Sequence, residues 1–401
     1  MKTKKIFLIL AALCLVFFVA GCDNDSSSSN KGNNGGGNGN GNGNGNGGGS
    51  SFTGSYLCLK ATGGSVDVKL KLRSINGTMS AVPSLEYSTD GSTWTAITLS
   101  NPAEGLTTEN DITTLADGEK MYVRATSTNS FITEYTPSVR VKSSFVFDGA
   151  GTVEASGNVM SLVDKTCAST SIPSEGCFAS LFEGCTNLVS PPELPATSLQ
   201  NNCYQGMFRD CASLAAAPAL PATALSVGCY NAMFYGCTAL TSAPVLPATT
   251  LTVDCYSGMF HGCTALTAAP VLPATTLAGF CYTSMFEGCT ALTAAPALPV
   301  TTLAERCYMG MFAGCTALTA APELPAAILA DSCYLNMFNG CTSLNSITVH
   351  FTLWDPADAT IGWVNGMSNT AGVTFTCPST LNTDTKDVNH VLSNWTLDKS
   401  L

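Results

Sequence analysis

Cysteine returns along the second half of this chain at a fixed interval, and that interval limits the fold more than any single motif. Cysteines stand at 177, 185, 203, 211, 229, 237, 255, 263, 281, 289, 307, 315, 333 and 341. Each pair is Cys-x7-Cys, and the pairs recur every 26 residues, seven times. A unit this small cannot bury its own apolar face. Neighbouring units must stack to make one continuous core, so the period implies a solenoid.

One full unit runs from Cys255 to Phe280. The positions that repeat within the array are Cys255, Met259, Phe260, Cys263, Leu266, Leu272 and Leu277, and these are the expected core. Cys255, Met259 and Cys263 are spaced i, i+4, i+8, which predicts one stripe of a short helix. Gly262 suits the left-handed residue that ends such a helix. Leu266 to Ala269 is the expected strand. Pro270 and Pro273 have no N–H to give a parallel ladder, so any sheet stops near them.

Met259-Phe260 followed by Cys263-Thr264-Ala265-Leu266 resembles the leucine-rich repeats of BspA-like (Treponema pallidum type) bacterial surface proteins, with Cys255 in place of the usual aliphatic residue. The resemblance covers about 170 residues. The unit departs from it in being longer and in carrying Ala-Pro-x-Leu-Pro. It implies a cell-surface protein that adheres to matrix proteins or to other cells.

The first residues read as an address. Lys2, Lys4 and Lys5 precede the apolar run Ile6 to Ala20, which fits a secretory signal better than a membrane span. It ends in Val19-Ala20-Gly21-Cys22, which resembles the lipobox of bacterial lipoproteins. That resemblance makes 1–21 a signal peptide and Cys22 the first mature residue and lipid attachment site. Asp23-Asn24-Asp25 is similar to the surface-export signal of Bacteroidetes lipoproteins. The expected location is therefore the outer membrane, facing outward, with the membrane reached through the lipid. Residues 22–51 hold the lipidated cysteine and then Gly, Asn and Ser almost throughout. With nothing apolar to bury, this segment reads as a tether of roughly 30 Å span.

Residues 52–147 alternate with period two. Val66, Val68, Leu70 and Leu72 interleave with Asp67, Lys69 and Lys71. Leu85 to Tyr87 and Trp94 to Ile97 flank Asp90-Gly91, a hairpin signal. The run from Leu115 through Gly118 and Tyr122 to Arg124-Ala125 resembles late strands of fibronectin type III and immunoglobulin-like modules. The expected order is thus an immunoglobulin/fibronectin-III-like β-sandwich (52–147), a connector and N-terminal cap (148–176), a seven-unit leucine-rich-repeat solenoid (177–344) and a C-terminal cap (345–401). The fold class is mainly β with short helices. Trp354, Trp363 and Trp395 fit the C-terminal cap, and Trp94 reads as core.

Charge and chemistry restrict function. Seventeen Lys+Arg against 28 Asp+Glu give a net charge of −11, and the basic residues are scattered. That excludes nucleic-acid binding by electrostatics. Three histidines, no close Cys-x2-Cys spacing and no Gly-rich loop between strand and helix leave no metal site, no cofactor and no catalytic residues to expect. The repeat cysteines have two readings. Within a unit, residues eight apart on a helix lie about 12 Å apart, beyond the roughly 7 Å a disulfide tolerates. Bonds between neighbouring coils stay open beside two ladders of buried thiols.

Positions that vary between units mark the surface. The residue after Met-Phe (Leu-Phe in the first unit) reads Glu183, Arg209, Tyr235, His261, Glu287, Ala313 and Asn339. Arg209, Tyr235, His261 and Glu287 are the candidate partner row. The strand side offers a Thr/Ala strip with Thr241, Thr267, Thr293 and Thr319. The function expected is adhesion or protein–protein interaction through an extended surface, without catalysis. Partners would be host or bacterial surface proteins or glycans. The alternative is a glycan-binding lipoprotein of a polysaccharide-uptake system, using Tyr235, Trp94 or Trp363.

Overall fold

The computed structural model describes residues 55–76, 82–128, 131, 140–354, 356, 358–367 and 372–401. The signal segment, Cys22, the tether and residues 52–54 lie outside the described residues. Those described are strand, turn and extended chain, apart from one 3₁₀ turn, Val159–Leu162, capped by the Asn158 side chain. The chain is mainly β.

Two sheets occupy the N-terminal part. The strands are β1 (Leu57–Thr62), β2 (Val66–Asn76), β3 (Leu85–Ser88), β4 (Thr95–Ala96), β5 (Thr107–Leu115), β6 (Lys120–Ala125), β7 (Arg140–Gly149), β8 (Thr152–Ser156) and β9 (Leu188–Ser190). One sheet is ordered β5-β2-β7, the other β4-β3-β6-β1-β8-β9. Strand β2 follows its period-two pattern: Val66, Val68, Leu70 and Leu72 are buried while Asp67 and Arg73 are exposed. The hairpin at Asp90-Gly91 forms, pairing Glu86 with Ala96 and Tyr87 with Thr95. Gly91 has φ +75° there. The apolar residues of both sheets belong to one core cluster that runs on into the repeats.

The repeats are built from turns, not helices. Between 254 and 263 the N–H groups alternate in direction. Cys255, Ser257, Met259, His261 and Cys263 donate to the carbonyl three residues back, closing turns within the unit. Asp254, Tyr256, Gly258, Phe260 and Gly262 donate to Gly279, Cys281, Thr283, Met285 and Glu287 of the next unit, at 2.7–3.2 Å. The cause is a left-handed residue at every fourth position: Asp254 (φ +63°), Gly258 (+59°) and Gly262 (+71°). An α-helix needs uninterrupted negative φ and bonds to the fourth residue back. The predicted helical stripe of Cys255, Met259 and Cys263 is therefore corrected. The three do share a buried face, but their spacing of four is a turn period. Two glycines four apart, Gly258 and Gly262, are the sequence signal for it, since glycine inside a helix is unfavourable.

The expected strand at Leu266–Ala269 does not form either. Its neighbours meet only in single bridges such as Ala216↔Ser242. The exceptions are at the two ends: β9 (Leu188–Ser190) holds this place in the first unit, pairing with β8 and stopping at Pro191, and a second strand holds it where the proline motif gives way. Strand β10 (Ser346–Thr348) sits three units after Ala268-Ala269-Pro270, with Ser-Ile-Thr in their place, and pairs in parallel with β11 (Thr374–Thr376), which pairs with β12 (Thr396–Asp398). In β10 Thr348 stands in the place of Pro270 and has an N–H, so proline no longer limits the ladder there.

The core repeats side chain by side chain. Cys255, Met259, Phe260, Cys263 and Leu266 are wholly buried, Leu272 nearly so, and Leu277 packs half-buried against them. Phe208, Phe234, Phe260, Phe286, Phe312 and Phe338 stack in one column with centroids 5.6–5.9 Å apart. A second column runs from Tyr204 to Tyr334 at 5.8–6.1 Å. The buried hydroxyls of Tyr204 and Tyr230 have no partner, and nothing in the structure explains why these are not phenylalanine, as at Phe178.

The fourteen cysteines of the seven pairs are free thiols. In the second ladder each Sγ donates to the Phe carbonyl of the preceding unit, as Cys263 does to Phe234 at 3.1 Å and Cys289 to Phe260 at 3.1 Å. The array continues past its last cysteine pair. Ala359, Trp363 and Met367 stand 26 residues after Cys333, Met337 and Cys341 and are fully buried, and the ladder reaches the first two, with Tyr334 N–H donating to Ala359 at 2.8 Å and Phe338 N–H to Trp363 at 2.7 Å.

Burial and the neighbouring thiols hold these groups protonated. Burial pushes Cys255 up to about 11, and Cys203, Cys281 and Cys341 up to about 12, from an ordinary value of 9.0. Folded values above the unfolded one give stability that is whole below pH 9 and is lost as pH rises toward 11–12. Each such thiol removes about 1.4 kcal/mol per pH unit across that window, and the array carries fourteen. The melting temperature, followed by circular dichroism, should hold to pH 8 and fall steeply between pH 9 and 11. A flat profile to pH 11 would mean that the thiols do not titrate on unfolding.

The left-handed positions give a second, reciprocal test. Ala232 holds φ +52° where the next unit has Gly258, and a Cβ on Gly258 would meet only the Ala232 methyl, 4.0 Å away. Space is therefore not the issue, only backbone strain, worth about 1–2 kcal/mol. Urea denaturation should show Ala232→Gly more stable and Gly258→Ala less stable by about 1 kcal/mol each.

Candidate binding surface

The row after Met-Phe is brought into contact from coil to coil. The Arg209 guanidinium lies 4.3 Å from the centroid of the Tyr235 ring. Tyr235 stacks on His261 with centroids 4.3 Å apart and planes 7° from parallel. His261 Nδ1 is 3.6 Å from Glu287 Oε2. Four side chains from four consecutive units thus form one half-buried ladder. It is held in register by the main-chain bonds beneath, such as Gly262 N–H to Glu287 O.

The N-terminal sheets extend this row. Lys142, on β7, reaches the first coil: its Nζ donates to Ser180 Oγ at 2.8 Å and lies 3.7 Å from Glu183. Beside it opens a cleft of about 210 Å³ lined by Ile75 and Lys142 of the sheet and by Ser180, Glu183, Gln205, Gly206, Arg209, Asn231 and Ala232 of the first three coils. Of these, Ser180, Gly206 and Ala232 occupy the left-handed position in successive units, with φ from +52° to +62° and small side chains. The Gln205 amide nitrogen donates to the Asn231 amide oxygen at 3.5 Å.

The Thr/Ala strip is a second exposed row. Thr241, Thr267, Thr293 and Thr319 are all exposed. Thr241 Oγ1 donates to Ala215 O at 3.4 Å and Thr319 Oγ1 to Thr293 O at 3.3 Å, so part of the hydroxyl capacity is spent on the preceding coil. Val245 and Val271, in adjacent coils, are 80% and 81% exposed.

The aromatic candidates fare differently. Trp363 is fully buried and its Nε1 donates to His390 O at 2.9 Å, so it has no face to offer. Both faces of Tyr235 are engaged by Arg209 and His261. Trp94, read as core, is half-buried at the surface instead, because β4 is a two-residue edge strand with both residues exposed. The Arg124 guanidinium sits 3.5 Å over its ring and 5.0 Å from Tyr56. Arg124 also donates from Nε to Glu86 at 2.7 Å and from Nη1 to the Tyr56 hydroxyl at 2.7 Å. Partial burial works to raise the Glu86 carboxyl, but hydrogen bonds from Arg124 and Lys165 outweigh it and hold the group below the usual carboxylate range.

Among the described residues no group of three or more His, Cys, Asp or Glu side chains gathers as a metal site, and no helix is long and apolar enough to cross a membrane. Sequence reasoning missed Lys142, Ile75, Gln205 and Asn231. The two amides stand in a column that varies between units, and that variation is their one sequence signal. Lys142 and Ile75 join the cleft only because β7 docks on the first coil. Comparison of the chain with protein-family models, with curated proteins and with solved structures returns no match.

If Trp94 is a clamp and not a ligand platform, its removal should cost stability. A stacked cation on tryptophan is worth about 0.5–2 kcal/mol. Trp94→Leu should lower the urea midpoint by an equivalent amount, and Arg124→Met should lower it further. An unchanged midpoint in Trp94→Leu would return Trp94 to the list of free surface aromatics.

Proposed function

We propose that this chain is a lipid-anchored binding protein displayed on the outer surface of a bacterium, acting by adhesion or protein–protein interaction and not by turnover. In this reading Cys22 carries the lipid, residues 23–51 lift the folded part from the membrane, and the two N-terminal sheets form an immunoglobulin/fibronectin-III-like sandwich. The stacked units are a leucine-rich-repeat solenoid of the BspA-like kind, with the helix replaced by turns.

The observation that carries the reading is the division of labour within each unit. From the second unit on, Cys, Tyr, Met, Phe, Cys and Leu stay the same and are buried, while the residue after Met-Phe changes and, from Arg209 to Glu287, is displayed in a continuous contact row. Such an array tolerates change outside without cost inside, which suits recognition over a long surface. Neutral Thr, Ala and Val on the second row favour shape-based contact with a protein partner. Glycan binding, the second reading, loses its aromatic platforms at Trp363, Trp94 and Tyr235, but gains the polar cleft at the junction of the sheets and the first coils.

Protease treatment of intact cells tests the location, with Cys22→Ala as control. Digestion of the wild-type chain without lysis is the expected result. Protection of a correctly lipidated chain would place it on the inner side and would overturn the adhesin reading. With exposure established, Thr267→Lys with Thr293→Lys should weaken binding to a protein partner at least tenfold if the Thr/Ala strip makes the contact.

A further inference from the structure

We infer that the cleft between β7 and the first three coils is a binding subsite for a single neutral sugar ring. The inference rests on the glycan reading above and does not depend on the adhesion reading.

Size comes first. A cleft of about 210 Å³ is smaller than the roughly 300–1,000 Å³ of sites that hold drug-sized ligands. It has room for one ring and its substituents.

Charge comes second. Lys142 faces Glu183 at 3.7 Å, and Arg209 faces Asp210 at 3.4 Å. Each cation in or beside the cleft already has an anion, so the site carries no net charge to draw a phosphate or a carboxylate. A neutral ligand with many hydroxyls fits this balance.

Hydrogen-bonding capacity comes third. A vicinal diol both donates and accepts at adjacent oxygens. The cleft is lined by amide side chains that do both, Gln205 and Asn231, by a carboxylate that only accepts, Glu183, and by cations that only donate, Lys142 and Arg209. Gly206, Ala232 and the Ile75 side chain supply apolar surface for the C–H face of a ring. Aromatic stacking is absent from this arrangement, because Tyr235 is already covered.

Position comes last. The lining residues come from two parts of the chain that meet only on folding, and Lys142 is fixed by a 2.8 Å bond to Ser180, which is itself 2% exposed. The subsite is thus built at a rigid junction, and Arg209 both lines it and begins the Arg209–Tyr235–His261 row.

The test uses the full chain and four probes, methyl α-glucoside, methyl β-galactoside, methyl α-mannoside and N-acetylglucosamine, by saturation-transfer NMR and isothermal titration. Saturable binding of at least one probe is expected, weakened about three- to tenfold by Gln205→Ala and again by Asn231→Ala, as for loss of one hydrogen bond each. Glu109→Gln, exposed on β5, should bind as wild type. Circular dichroism checks that both amide variants fold. Binding that survives both amide variants would overturn the cleft while leaving the glycan reading standing. No binding of any probe by the wild-type chain would overturn both.

Discussion

Every second backbone N–H in the turn segment of a unit leaves that unit and bonds the next one. This one arrangement explains most of the structure. It fixes the spacing of the coils, and so the stacking of Phe on Phe and Tyr on Tyr at just under 6 Å. It requires a left-handed residue at every fourth position, most often glycine, with Ala232, Phe280 and Arg306 among the exceptions. It also leaves the Phe carbonyl facing the neighbouring coil, where the cysteine thiol of that coil donates a weak hydrogen bond to it. Cysteine is the right size and polarity for that place: small, apolar in bulk, and able to donate one bond.

The same ladder solves the problem of the ends. A stack of identical coils exposes core at its first and last members. At the start, β7 serves as the missing coil. Phe145 N–H donates to Leu181 at 2.8 Å, the Phe145 ring stacks on Phe182 at 5.5 Å, and Cys185 donates to Phe145 O at 3.2 Å. Each of these contacts repeats what Phe182 does for the second coil. Phe131 plays the corresponding part for Phe178. At the far end, Trp363 and Met367 fill the volume of the missing repeat side chains, and the parallel strands β10 to β12 close the last coils. The N-terminal sheets and the repeats therefore share one core, and the cleft at their junction has walls that neither part could build alone.

Function on such a scaffold has to come from what varies. The fixed residues are spent on stacking, and the thiols among them are held protonated by burial, far from nucleophilic use at neutral pH. The displayed row is different. Arg209, Tyr235, His261 and Glu287 have no common chemistry, yet each touches the next. Their contact follows from the coil spacing beneath and needs no selection for any one pair.

The sequence by itself determined the repeat, its period, and which side chains face inward, because a buried position in a stack must suit its neighbours on both sides and so cannot drift. Cys255, Met259, Phe260, Cys263 and Leu266 were legible for that reason, as were the alternating strand β2 and the hairpin at Asp90-Gly91. The contact row Arg209–Tyr235–His261–Glu287 was legible as a column of variation. Three things were decided only by the tertiary structure. A spacing of four reads equally as helix or as turns, and hydrogen bonds to the next coil, invisible within one unit, chose turns. Trp94 reads as core until Arg124, from a strand further along the chain, is placed over its ring at the surface. The cleft needs Lys142 and Ile75 set against Gln205 and Asn231, and no local pattern can join residues that meet only when β7 takes the place of a coil.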